Sequence, residues 1–122
     1  MGTYVSLLNN CEYCLEHHFS GLKRLLSDDE KSAAFRHAME TGDLESTFYG
    51  RELALLHYAR KLTLQPAQMV ESDLEPLRAA DLDDGEILEA NQIIGYFNYA
   101  NRLLNGLGVT TDGDTVGYYA KD

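Results

Sequence analysis

From Val5 to His18 the chain reads Val5-Ser6-Leu7-Leu8-Asn9-Asn10-Cys11-Glu12-Tyr13-Cys14-Leu15-Glu16-His17-His18. Apolar residues recur through and beyond this stretch at Val5, Leu8, Leu15, Phe19, Leu22 and Leu26, in steps of three, four and seven. Those steps mark one face of a helix, and they predict a single helix from about Tyr4 to Leu26. The stretch also holds both cysteines of the chain. At about 100° per residue, Cys14 lies about 60° from Cys11, and His18 about 40° from Cys14. The three side chains share a stripe. His17 points about 80° from Cys14 and farther still from Cys11. His18 is therefore the expected partner of the thiols, and His17 a neighbour.

Working outward, helical periodicity continues and strand alternation is nearly absent. Asp28-Asp29-Glu30 opens a second helix, because acidic residues favour the positive N-terminal end. Gly42 is its expected stop. A third helix spans roughly Ser46 to Leu64, closed by Pro66. Ser72 to Glu75 has the spacing of a capping box for a short helix to about Ala80. Asp83 and Glu86 form a second box, opening the longest apolar helix from about Asp84 to Leu104. Gly106 and Gly108 stop it. The tail after Val109 reads as a surface loop. The expectation is all-α: one domain of about five helices spanning residues 1–122. Periodicity begins at once, with only Thr3 to cap it, which suggests a short natural form or a chain truncated at its N-terminus.

Composition narrows the function classes. Hydrophobic residues at 44% and charged residues at 25% are those of a globular domain. The net charge of -10 disfavours nucleic acid and anionic membranes as partners, since both require a basic surface. No apolar run has the length of a membrane span, and no secretory signal is visible. One C-x-x-C pair does not make a disulfide-stapled secreted scaffold. The reading is a cytoplasmic protein with functional thiols. Met1 to Ser6 matches a loose myristoylation pattern, but no second membrane signal accompanies it.

A C-x-x-C with a histidine one turn on supports thiol redox chemistry. Histidine takes the thiol proton or stabilises the thiolate. The thiolate attacks a peroxide and becomes sulfenic acid, and a second thiol condenses with it to a disulfide. An outside dithiol then reduces that disulfide. The residues fit a peroxidase or a disulfide oxidoreductase. Two small buried core cysteines are the bland alternative. Structural zinc needs a second ligand pair, and His17, His18, His37 and His57 supply no H-x-x-x-H, so no metal is expected. Leu15 stands where haem attachment needs histidine, and a thioredoxin site needs strands that are absent here. No cofactor is implied.

At these residues the chain resembles the alkylhydroperoxidase-D-like branch of the carboxymuconolactone decarboxylase superfamily, and most of all its peroxidase-related members. The likeness extends through Arg51-Glu52 to Lys61-Leu62-Thr63, through Phe97 to Leu103, and through Gly106-Leu107-Gly108-Val109. The resemblance implies an all-α fold assembled as a homo-oligomer, a hydroperoxide substrate and an external dithiol or protein reductant. It implies Cys14 as the attacking thiol, Cys11 as proton donor and resolving thiol, and His18 in the proton relay. One position departs from the pattern. The relay glutamate of the family peroxidases would lie roughly three turns before Cys11, ahead of Met1. Without it, the alternative is a non-catalytic or redox-sensing oligomeric helical module. Glu52 or another acid, brought in by folding or by a second subunit, is the candidate to replace it.

Other residues invite plainer readings. Asn98, Asn101 and Arg102 interrupt the apolar face of the last helix and are expected to hydrogen-bond at a helix or subunit interface rather than contact substrate. Tyr96, Phe97 and Tyr99 read as core or interface. Tyr118 and Tyr119 are candidates for docking on a neighbouring subunit. His37 and His57 read as packing or surface residues. The acidic run from Asp81 to Glu86 lacks the ligand spacing of a calcium loop.

Overall fold

Asn9 and Asn10 break the expected first helix in two. The computed structural model describes residues 1–113 and residue 116, and its first helix, α1, covers only Gly2–Leu8. Asn10 adopts a left-handed conformation with φ 52°. The Cys11 N–H returns to the Ser6 carbonyl at 3.0 Å, and the Asn10 N–H to the Leu7 carbonyl at 3.0 Å. This pair of bonds is the Schellman stop, which favours glycine or asparagine at its left-handed position. Cys11 then serves as the N-cap of α2, Glu12–Leu26. The continuous helix from Tyr4 to Leu26 is thus corrected to two helices that share a tight turn.

The remaining elements follow the expected order. Helix α3 covers Asp29–Thr41, and Asp28 caps it by accepting the Lys31 N–H at 3.0 Å. Gly42, at φ 78°, ends it. A 3-10 turn at Leu44–Ser46 precedes α4, Gly50–Leu64, so the third helix starts later than its sequence suggests. The intervening chain is extended at Tyr49, and Phe48 enters the core with its ring 4.6 Å from that of Phe35. The box expected at Ser72 does not form. Ser72 lies inside a 3-10 turn, Glu71–Leu74, where the Asp73 carboxylate accepts the Val70 N–H and holds Lys61 at 2.8 Å. Helix α5 is short, Glu75–Ala79. The Asp83–Glu86 box does form and opens α6, Asp84–Gly106, with Gly108 as its left-handed stop.

Helix α1 is short but central. It packs against α2, α4 and α6. Two adjacent members of its buried run, Tyr4 and Val5, face different cores. Val5 joins Tyr58, Ala59, Leu77, Leu82, Ile87 and Ile94 between α4, α5 and α6. Tyr4 joins Ala38, Met39, Leu44, Phe48 and Leu56 on the α3 side. Each such large side chain contributes about 1.5–3 kcal/mol when fully buried. No strand occurs among the described residues, and none of their helices is long and apolar enough to cross a membrane. Tyr118 and Tyr119 lie outside the described residues.

Candidate functional site

The break after α1 decides where the sulfurs sit. Cys11 is the N-cap of α2 and Cys14 lies in its first turn. A continuous helix would have placed both in its middle. The N-terminal end of a helix carries unpaired N–H groups and a partial positive charge, which favours an anion. Both cysteines are free thiols, 1% and 3% exposed, with their Sγ atoms 2.7 Å apart. Closing a disulfide from there needs only a side-chain adjustment, because the bonded distance is about 2.05 Å.

Burial opposes the thiolate. The Cys14 thiol is pushed up to about 12, chiefly by desolvation and also by the neighbouring Cys11. A hydrogen bond from the Asn101 side chain acts in the opposite direction. Asn101 comes from α6 and is fully buried. Its Nδ2 also donates to Ser6 Oγ at 3.2 Å, and its Oδ1 accepts from Asn9 Nδ2 at 3.0 Å. Asn9 Nδ2 further donates to Asn98 Oδ1 at 2.9 Å, and the Asn9 carbonyl accepts from Asn105 Nδ2 at 2.8 Å. The turn carrying the cysteines is therefore tied to α6 by a cluster of amides. The plain reading of Asn98 and Asn101 holds, since both bond across helices of one chain. Arg102 instead turns back onto its own helix, donating to the Asn98 carbonyl and side chain.

His18 lies on α2, one turn beyond Cys14, and packs edge-on against Phe97 with ring centroids 4.6 Å apart. No hydrogen bond joins His18 to either sulfur among the described residues. Burial, and next the charge of His17, lower the His18 pKa, so its ring stays neutral below the usual histidine range. A neutral imidazole accepts a proton. Gly2 also packs closely on Phe97, where an added Cβ would fall 2.5 Å from Phe97 Cζ. His17 stacks on Tyr13 at 4.4 Å.

The structure brings Cys11 and Cys14 together and leaves His18 on the same helix without a direct bond to them. Glu52 is exposed on α4, and among the described residues no carboxylate bonds to either sulfur or to His18. Nor do three or more His, Cys, Asp or Glu side chains gather there in a metal-binding group. His57 is a surface residue paired with Glu45 at 2.8 Å, and His37 is exposed. Tyr96 and Tyr99 are not core residues, being 63% and 62% exposed. Sequence reasoning missed Ser6 and Asn9 as parts of the site. The signal for Asn101 was present as a polar residue on an apolar face, but its partner was not.

No protein-family model and no curated protein matches the chain. Among solved structures, the fold is similar to that of an uncharacterized peroxidase-related protein from Silicibacter sp. TM1040, with a TM-score of 0.78 and 26% sequence identity. The match covers 89% of this chain and 55% of that one, so the chain spans about half the length of its neighbour.

Proposed function

We propose that the protein is a thiol-dependent hydroperoxide reductase of the alkylhydroperoxidase-D-like kind. The observation that carries this reading is the pair of buried free thiols, 2.7 Å apart, at the N-terminal end of α2. Cys14, as thiolate, attacks the terminal oxygen of a hydroperoxide. The O–O bond breaks, Cys14 becomes sulfenic acid and the substrate leaves as an alcohol after taking a proton. Cys11 then attacks the Cys14 sulfur, its thiol proton and the sulfenic hydroxyl leave together as water, and a disulfide forms. An external dithiol or protein reductant supplies the two electrons that restore both thiols. His18 accepts and returns protons, which its neutral ring suits. Such a cycle belongs in a reducing compartment such as the cytoplasm. The structural neighbour described as peroxidase-related supports the same direction.

The reading includes a homo-oligomer. Its support is an exposed apolar stripe along α6 and its C-cap, where Tyr96, Tyr99, Leu103 and the capping Leu107 recur at helical spacing. Sedimentation equilibrium tests that part. A second reading, a redox-sensing helical module without turnover, is favoured by the raised Cys14 pKa, which leaves little thiolate at neutral pH. One experiment bears on both. Reduced Cys11→Ser protein is treated with a hydroperoxide and a sulfenate-trapping reagent, then mapped by mass spectrometry. The proposal expects an adduct on Cys14 within seconds to minutes. Absence of any adduct, with peroxide unconsumed, would overturn it.

A further inference from the structure

Three helices meet at one aromatic ring beside the thiol helix. Phe97 belongs to α6 and is partly buried against the core that includes Val5. Its ring meets the His18 ring of α2 at right angles, with centroids 4.6 Å apart. The far end of the same ring abuts Gly2, the first residue of α1. A Cβ on Gly2 would lie 2.5, 2.7 and 2.8 Å from Phe97 Cζ, Cε2 and Cε1, so the ring would have to move to admit it. Gly2 is not one of the left-handed glycines, and within a helix alanine is the better residue. The room taken by Phe97, not the backbone, is what calls for glycine there.

We infer that Phe97 is a positioning residue that fixes the His18 ring one turn from Cys14, and that Gly2 leaves the room in which Phe97 is seated. The inference rests on the peroxidase reading for what His18 does, but the packing of the rings stands on geometry alone. A group that accepts and returns protons has to keep its nitrogens aimed, and an aromatic neighbour at contact distance restricts the rotamers it can visit. The same neighbour excludes water from one side of the imidazole, in line with the burial that lowers the His18 pKa. The charged groups that act on His18 are His17 on its own helix and the Met1 α-ammonium at the start of α1. Glu52 of α4 acts in turn on that ammonium. Phe97 carries no charge, so its removal alters the imidazole through hydration and orientation.

The test follows the histidine rings of reduced Cys11→Ser protein by NMR against pH, with His18 assigned by its loss in His18→Gln. Phe97→Leu shortens the side chain, and the His18 midpoint is expected to rise by roughly half a pH unit toward 6.5. Gly2→Ala is expected to move it the same way, because the added methyl displaces the ring. It is also expected to lower the urea midpoint of unfolding, against the helix preference for alanine. In the Phe97→Leu background the methyl has room. There Gly2→Ala is expected to shift His18 no further and to raise the urea midpoint. The acid limb of the pH profile for Cys14 sulfenate formation is expected to move with the His18 midpoint. If Phe97→Leu does not fold, Phe97→Met takes its place. An unmoved His18 midpoint in the Phe97 variant overturns the positioning role. Equal effects of Gly2→Ala with and without the Phe97 ring overturn the seat. A shift that vanishes in molar salt also overturns the positioning role, because a displaced Met1 charge is screened and a change in packing is not. Moved midpoints in a protein that does not react with peroxide would sink the peroxidase reading and leave the ring packing intact. Peroxide reaction with unmoved midpoints would do the reverse.

Discussion

Cys14 carries two opposed demands. Its burial keeps the thiol protonated, while its place in the first turn of α2 and its bond from Asn101 favour the anion. The net direction is upward, to about 12 from an ordinary value of 9.0. The consequence for stability follows from linkage. The unfolded chain releases the Cys14 proton from about pH 9, while the folded chain holds it. The folded state then binds more protons, so stability falls as pH rises through that window. Thermal unfolding of reduced protein is expected to show a falling midpoint above about pH 9, and Cys14→Ala is expected to flatten the fall. Identical slopes would contradict the burial effect. His18 has the opposite sign. Its pKa is lowered, so the unfolded chain takes up a proton first, and stability declines as pH falls through the ordinary histidine value of 6.5. The cysteine pair was legible in the sequence, because its spacing and residue types suffice to find it. Asn101 was legible only as an anomaly. A polar residue on an apolar face says that a partner exists, and folding alone brings Ser6, Asn9 and Cys14 to it.

At the scale of elements, the turn between α1 and α2 has the largest effect on the site. It went unread for a physical reason. The apolar set steps by seven from Leu8 to Leu15, and two helical turns span the same distance as the gap that hides Asn9 and Asn10. Periodicity is blind inside such a step, whereas two consecutive asparagines are a chemical hint of a left-handed stop. The Asp83–Glu86 box was legible because both partners lie within one turn of each other. The start of α4 was not, because the burial of Phe48 decides it. Two substitutions separate these devices. Asn10→Ala removes the short polar side chain that eases the left-handed conformation and is expected to cost about 1 kcal/mol, while Asn10→Gly is tolerated. Asp83→Ala removes a cap and is expected to cost about 1 kcal/mol as well. Urea unfolding measures both. Only Asn10→Ala is expected to change the Cys14 alkylation rate, since Cys11 is bonded through its N–H to Ser6 across that turn. Equal effects of the two substitutions on alkylation would contradict a role for the turn in setting the thiols.

The whole molecule carries 20 acidic and 10 basic residues. Its ion pairs do not offset that excess. Arg36–Glu16 and Arg51–Glu86 have partly exposed partners, and exposed pairs are worth about 0–1 kcal/mol each. Self-repulsion therefore outweighs pairing at low ionic strength. Raising salt from about 10 mM to about 150 mM is expected to raise the thermal midpoint, because the Debye length falls from roughly 25–30 Å to about 8 Å. A lower midpoint in salt would mean that the ion pairs dominate. The all-α class, the positions of α3 and α6, and the ends of α2 and α4 were legible at this scale, since amphipathic periodicity is a local property. The central place of α1 was not. Nothing in seven residues announces that Tyr4 and Val5 divide between two cores.

The central claim is that Cys14 and Cys11 turn over hydroperoxide as a pair. Its most direct test is the steady-state consumption of an organic hydroperoxide with a dithiol reductant, comparing the native chain with Cys14→Ser and Cys11→Ser. The expected rate is well above that of the dithiol alone, abolished in Cys14→Ser and stalled after a single turnover in Cys11→Ser. A native rate equal to that of the free dithiol, or one that survives in Cys14→Ser, would contradict it.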